Sequence, residues 1–123
     1  MLILFASPHA EGHTKKILNH FISNVKLKYD ISFIDAFRKN AKPCIDCSHC
    51  KKYKKCFFND LNEFYNNLTN ADLIIIATPI YNLSFPAPLK AILDRTQIYY
   101  NTRNVNPIKK KKEVILLLTC GRN

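Results

Sequence analysis

Residues 70–96 read NADLIIIATPIYNLSFPAPLKAILDRT, and this stretch decides the fold. Its first part, Leu73 to Ala77, is a continuous apolar run. Such a run predicts a strand buried on both faces, as in a parallel sheet. A proline-rich loop follows, and then apolar residues recur at helical spacing from about Ala87 to Gln97. The stretch therefore predicts a strand, a long loop and a helix, which is one repeating unit of an α/β fold.

The same alternation extends in both directions from this unit. Strands are predicted at Leu2–Ala6, Ile31–Asp35 and Glu113–Thr119. One helix is predicted from about Thr14 to Asn24, with an apolar face that includes Ile17, and another from near residues 59–60. The order predicts an α/β, flavodoxin-like arrangement: an open, doubly wound parallel sheet with helices on both faces, in three layers.

The predicted organisation is one domain over residues 1–123 with a cysteine-rich loop inserted at about residues 42–58. The sequence stops directly after a predicted strand, where such a fold ordinarily continues. We therefore expect either a C-terminal truncation or a partner that covers the exposed edge of the sheet.

The composition and charge of the chain limit the classes of function that we expect for it. The 123 residues carry a formal net charge of +10, with lysines clustered at residues 51–55 and 109–112. Such runs usually face water, and the alternative is attraction of an anionic ligand such as a phosphorylated cofactor. No nucleic-acid recognition motif accompanies the charge, so we expect no nucleic-acid partner. No run reaches the roughly 18 apolar residues of a membrane helix, so we expect no membrane association and a cytoplasmic protein with reduced thiols.

Three loops leave the carboxyl ends of the predicted strands, where open parallel sheets bind ligands. The first, SPHAEGHT, leads into a helix N-terminus, which favours an anion. Its hydroxyls, its histidines and a glycine that permits close approach suit a phosphate, and the candidates are Ser7, His9, Gly12, His13 and Thr14. The alternative is an ordinary helix start with Thr14 as N-cap.

The second loop, TPIYNLSFPAP, is aromatic and stiffened by proline. Tyr81 and Phe85 suit the face of a flat ring and Asn82 its edge, unless these aromatics are ordinary core residues. In the third loop, Gly121 permits close approach of the backbone to a ring.

Four of the five cysteines lie in PCIDCSHCKKYKKC, residues 43–56. The spacing of Cys44, Cys47, Cys50 and Cys56 is C-x2-C-x2-C-x5-C, and two-residue gaps suit a four-iron, four-sulfur cluster. Zinc is an alternative, although its usual two separated CxxC pairs are absent, and free or redox-active thiols are another. His49 is an alternative ligand. The surrounding lysines would offset the negative charge of a cluster.

Four motifs together carry a family resemblance: ASPHAEGHT, PCIDCSHCKKYKKC, the stretch at residues 70–96, and LLTCG, in this order. The chain resembles the flavodoxin-like NAD(P)H-dependent FMN reductases, and in particular their iron–sulfur flavoproteins. The resemblance implies FMN as cofactor, NAD(P)H as co-substrate, a four-iron, four-sulfur cluster on the compact cysteine motif, and a homodimer or higher oligomer. It implies that the first loop holds the FMN phosphate. It also implies that the flavin ring is lined by Thr78, Pro79, Ile80, Tyr81, Asn82, Cys120 and Gly121.

The expected activity is that of an FMN-dependent oxidoreductase. Electrons from NAD(P)H or from the cluster would pass to a quinone, free flavin or an electron-transfer protein, and the flavin rather than a side chain would carry the chemistry. Two alternatives remain open: a noncatalytic electron carrier of flavodoxin or ferredoxin type, and a truncated relative without a cofactor.

Overall fold

A computed structural model describes residues 1–25, 29–103 and 111–121 of the chain. The described part contains one parallel sheet of four strands in the order β2-β1-β3-β4. The strands are β1 (Leu2–Phe5), β2 (Ser32–Asp35), β3 (Leu73–Pro79) and β4 (Glu113–Thr119). All three pairings between neighbouring strands are parallel, so the chain must cross over from the end of one strand to the start of the next. This arrangement confirms the predicted α/β fold.

Six helices connect these strands within the described ranges: α1 (His13–Val25), α2 (Ala36–Lys39), α3 (His49–Tyr53), α4 (Asn62–Asn70), α5 (Ala87–Asp94) and α6 (Gln97–Asn101). The three long helices were predicted. The short ones were not, because a single turn carries too few apolar positions to produce a periodic pattern.

Three details of the helix predictions were wrong. The helix predicted to begin near residues 59–60 is α4, which begins at Asn62 after Leu61; the carboxylate of Asp60 is bound by Lys42 and Arg95 instead of capping it. The helix predicted to reach Gln97 ends at Asp94, and α6 follows as a separate turn. Ile17, predicted on the inner face of α1, is 44% exposed.

The core lies on both faces of the sheet, because alternate residues of a strand point to opposite sides. Leu2 and Leu4 of β1 pack with Phe64 of α4 and Leu89 of α5 on one face. Ile3 and Phe5, and Leu18 of α1, pack on the other. This is the predicted three-layer arrangement.

Strand β4 is an edge strand with unequal faces. Ile115 and Leu117 are partly buried and pack on the α1 side of the sheet. On the opposite side, Val114, Leu116 and Leu118 are each about half exposed. No helix in the described part of the chain is both long and apolar enough to cross a membrane.

Candidate active site at the sheet edge and candidate metal centre

The loop after β1 is a tight turn that leads into α1. Ser7 is buried, and its Oγ accepts a hydrogen bond from the backbone N–H of His9 at 3.2 Å. The backbone N–H of Gly12 donates to the carbonyl of His9 at 3.2 Å. A Cβ on Gly12 would lie 2.9 Å from the Cβ of His9, so the turn has no room for a side chain there. His9 and His13 are both exposed at the surface of this turn.

Thr14 is buried in the first turn of α1, and it is not the N-cap because the helix already includes His13. Its hydroxyl lies 2.7 Å from the hydroxyl of Thr119, the last residue of β4. The alternative interpretation, in which Thr14 is the N-cap, was therefore wrong. Thr119 was missed as a site residue, and the only signal for it was its place at the carboxyl end of a predicted strand.

The loop after β3 meets β4 at the same point. The backbone N–H of Ile80 donates to the carbonyl of Thr119 at 2.8 Å. Thr78 is fully buried, and its hydroxyl donates to the carbonyl of Pro79 at 2.9 Å. Cys120 and Gly121 follow Thr119 and are exposed. Thr119 therefore connects the loops after β1, β3 and β4 at one edge of the sheet.

Residues 81–84 form a reverse turn. Tyr81 and Ser84 exchange two backbone hydrogen bonds of 2.9 and 3.0 Å. Between them, Asn82 and Leu83 have φ values of 49° and 61°. Tyr81 is 45% exposed and available for contact, whereas Phe85 is partly buried against the core. Phe85 is therefore positioned as a core residue, which was the alternative reading of the sequence.

The four clustered cysteines line one small cavity against α6, together with Arg95, Gln97, Ile98 and Asn101. Cys44 and Cys47 are exposed, and Cys50 and Cys56 are partly buried. The short helix α3 places Cys50 within this loop, and the side-chain amide of Asn101 donates to its Sγ at 3.2 Å. His49 packs its ring against Tyr53 and Phe57, which favours a packing role for it.

The four thiols are the type of ligand that iron–sulfur clusters use, and they line one cavity. All five cysteines are unpaired, so none is used in a disulfide. In the described part of the chain, no group of three or more His, Cys, Asp or Glu side chains is already gathered at metal-ligand spacing. Metal binding would therefore require the thiols to move closer together.

Arg95 lies beside the cysteine loop, its side chain is 1% exposed, and its guanidinium donates hydrogen bonds to several groups. It forms an ion pair with Asp60 at 2.9 Å and lies over the ring of Phe58. Burial alone would raise the pKa of Asp60, but the Arg95 hydrogen bond and charge, with the backbone N–H of Lys42, hold it below its ordinary value. Burial raises the pKa of Tyr65, which also contacts Arg95, to about 12.

Asp94 is the last residue of helix α5, and Arg95 is its C-cap. Asp94 does pair locally, with Lys90. Arg95 instead reaches away from its helix to Asp60 and the cysteine loop. Nothing in the local pattern distinguishes the two, because the partners of Arg95 are 30 or more residues away.

The two lysine runs differ. Lys51, Lys52, Lys54 and Lys55 are exposed on the cysteine loop. In the second run, the ammonium of Lys112 donates to the carbonyls of Thr69 and Ala71 at 2.9 and 2.6 Å, which satisfies the C-terminus of α4. Lys109 and Lys110 lie outside the described residues.

The comparisons with known proteins identify the family. The family model described as NADPH-dependent FMN reductase matches residues 1–123, so the chain belongs to this family. An iron–sulfur flavoprotein of Methanocaldococcus jannaschii is 31% identical over 74% of this chain and 48% of its own length. An iron–sulfur flavoprotein of Archaeoglobus fulgidus is 37% identical over 68% of this chain and 47% of its own length. These relatives place the chain in the iron–sulfur flavoprotein branch.

A solved structure agrees with the fold. An NAD(P)H:quinone oxidoreductase from Methanothermobacter marburgensis superposes with a TM-score of 0.79 at 19% identity, covering 99% of this chain and 64% of that one. This likeness shows the fold alone. The chain spans about half the length of the curated relatives that it matches.

Proposed function

We propose that this chain binds FMN at the carboxyl edge of its sheet and acts in an NAD(P)H-dependent flavin oxidoreductase. The observation that carries the proposal is the meeting of three loops at Thr119, in a chain whose whole length matches the FMN reductase family. This edge is where open parallel sheets bind their ligands. The names of the two reported relatives, both iron–sulfur flavoproteins, support the same interpretation.

The residues of the first loop suit the phosphate of FMN. The N-terminus of α1 supplies backbone N–H groups without intrahelical partners, and the dipole of this 13-residue helix favours an anion there. Gly12 keeps the turn closed without a side chain, while the hydroxyl of Ser7 lies within the turn and that of Thr14 in the first turn of the helix. His9 and His13 are exposed beside it and are assigned a supporting role.

The second and third loops suit the flavin ring. Residues 78–80 present backbone groups at the end of β3, Tyr81 presents an exposed ring, and Asn82 presents an amide on the turn. Cys120 and Gly121 leave the adjacent strand and face solvent. When bound, FMN supplies hydride and single-electron chemistry, while the protein binds and orients it.

The cysteine loop is assigned to a four-iron, four-sulfur cluster, which supplies one-electron transfer when bound. The support is the shared cavity of Cys44, Cys47, Cys50 and Cys56 and the names of the relatives. The exposed lysines of the loop favour an electron-transfer protein with an acidic surface as partner. Within this proposal the loop is an insertion at about residues 42–58 in a single domain, and the protein acts in the cytoplasm, where thiols stay reduced.

Self-association into a homodimer or higher oligomer is part of the proposal. It is supported by the apolar face of β4, where Leu116 and Leu118 are about half exposed. Sedimentation equilibrium of the purified chain tests it. A monomer at all concentrations would contradict it.

The test of the activity begins with FMN binding, followed by flavin absorbance and by iron and acid-labile sulfide analysis under anaerobic conditions. We then expect NADH or NADPH to be oxidised when FMN and a quinone are present. Binding of FMN without any oxidation of either nucleotide, but with fast exchange of electrons with a carrier protein, would replace the enzyme by the noncatalytic carrier. A folded chain that binds no FMN would contradict the proposal.

A further inference from the structure

Both ends of the cysteine loop are bound by one buried side chain. The carbonyl of Lys42, two residues before Cys44, accepts from Arg95 Nη1 at 2.8 Å. The carbonyl of Phe58, two residues after Cys56, accepts from Arg95 Nη2 at 3.2 Å. One guanidinium therefore holds the first and last residues of the loop next to each other.

Asp60 closes the same arrangement from the other side. Its carboxylate accepts from Arg95 Nη2 at 2.9 Å and from the backbone N–H of Lys42 at 2.9 Å. The remaining donor of Arg95, Nε–H, reaches the hydroxyl of Tyr65 at 3.3 Å. A guanidinium has five N–H groups in a planar fork, and the contacts to Lys42, Phe58, Asp60 and Tyr65 use all of its nitrogens.

Lysine cannot reproduce this set. An ammonium offers three donors from one point, whereas these acceptors are arranged around a plane. The ring of Phe58 lies 5.1 Å from the Arg95 guanidinium, which suits a planar cation. The geometry therefore depends on arginine and not only on positive charge.

Asn101 contacts the site from the next helix. Its side-chain amide donates to Cys50 Sγ at 3.2 Å, and it lines the cavity that all four cysteines share. Hydrogen bonds to the thiolates of a cluster favour its reduced, more negative state and raise its reduction potential.

We propose that Arg95 and Asn101 are positioning residues of the four-cysteine site: Arg95 fixes the ends of the loop and Asn101 sets the polarity at Cys50. This inference rests on the proposed cluster for its redox consequence. The claim that Arg95 holds the loop does not, since every contact that carries it is made by protein groups.

The test compares Arg95→Lys, Tyr65→Phe and Asn101→Ala with the parent chain. Arg38→Lys is the matched control, because Arg38 is exposed and forms an ion pair with Asp35, three residues before it. Two readouts need no cluster: trypsin cleavage after Lys51, Lys52, Lys54 and Lys55, and alkylation of Cys50. We expect cleavage to be about tenfold faster in Arg95→Lys, less so in Tyr65→Phe, and unchanged in Arg38→Lys. Circular dichroism and FMN binding show whether each variant is folded.

The cluster readouts are iron and sulfide per chain and the midpoint potential. We expect Arg95→Lys to retain less cluster while still binding FMN, and Asn101→Ala to retain the cluster at a lower potential. Tyr65→Phe keeps the experiment decisive if Arg95→Lys does not fold, since it removes a single hydroxyl.

The outcomes separate the two proposals. If the parent chain binds a cluster, and the variants match it in cleavage, cluster content and potential, the positioning roles are overturned and the cluster stands. If the parent chain binds no cluster, the cluster assignment fails and the role of Arg95 is decided by cleavage and alkylation alone. If Arg95→Lys were cleaved and alkylated at the same rates as Arg38→Lys, the proposed role of Arg95 would be overturned.

Discussion

At Gly12 a single methyl group is enough to disturb the first loop. A Cβ there would lie 2.9 Å from the Cβ of His9, which is fixed to the backbone and cannot rotate away. We expect Gly12→Ala to lower the free energy of unfolding by about 1–2 kcal/mol, the cost of inserting a methyl group where there is no space. FMN affinity should fall about tenfold, because the turn that leads into α1 must open. Urea unfolding and flavin fluorescence titration measure the two effects.

Gly121 provides the control for this substitution. A Cβ at Gly121 would meet nothing within 4 Å, so Gly121→Ala should leave the free energy of unfolding unchanged. Equal destabilisation by the two substitutions would mean that loss of glycine, and not the contact with His9, is the cause.

The ionisation of Asp60 should make the free energy of unfolding depend on pH. Its folded-state pKa lies below the ordinary value, despite the opposing effect of burial, because Arg95 and the N–H of Lys42 bind its carboxylate. A depressed pKa contributes stability that is complete above the unfolded-state pKa, about 3.9, and is lost as pH falls through the folded-state pKa. Asp60→Asn should therefore be less stable at pH 7 by about 1–3 kcal/mol, the value of hydrogen bonds to a charged group.

The acid limb of the stability curve tests the sign. Below about pH 4 the parent chain should lose stability more steeply than Asp60→Asn, so that the two curves converge. Glu63→Gln is the control, because Glu63 is mostly exposed and pairs with Lys39 at 3.6 Å. Parallel curves for the parent chain and Asp60→Asn would show that Asp60 does not contribute to the acid dependence.

At the scale of elements, the turn at residues 81–84 carries a residue that does not suit it. Leu83 has a φ of 61° and is 99% exposed, so it has a strained backbone and negligible burial. Paired positive φ values are typical of a type I′ turn, for which Asn-Gly is the preferred sequence. We expect Leu83→Gly to raise the free energy of unfolding by about 0.5–1 kcal/mol. Ile17→Gly, at an exposed position within α1, should lower it by about 1 kcal/mol.

The strands and the short turn α6 show which parts of the fold the sequence could predict and which it could not. The strands were predicted because Leu73 to Ala77 and Leu2 to Phe5 are continuous apolar runs, and burial on both faces produces this local pattern. The α6 turn and the partners of Arg95 were not predicted, because they depend on contacts between residues far apart in sequence. The first-loop candidates could be chosen from the strand–helix junction, whereas Thr119 could be recognised only once β4 was placed beside β3.

At the scale of the whole molecule, the net charge of +10 should govern how fast an acidic partner arrives. If the cysteine loop receives electrons from an acidic carrier protein, the second-order rate should fall about tenfold when ionic strength rises from about 10 to about 150 mM. Over that range the screening length shrinks from about 30 to about 8 Å. Stopped-flow reduction by an acidic ferredoxin-type protein measures the rate.

The position of the charge, and not only its sum, can be tested with two matched variants. Lys51→Gln with Lys52→Gln removes two exposed charges from the cysteine loop, and Lys16→Gln with Lys111→Gln removes two exposed charges elsewhere. Both double variants lower the net charge by the same amount. If only the overall charge attracts the partner, the reduction rates of both variants should fall by the same factor. We expect the loop pair to be several-fold slower at low salt and the two pairs to converge at high salt, because attraction close to the docking point is strongest. Equal rates at low salt would remove the loop as the docking point and leave only the overall charge of the protein.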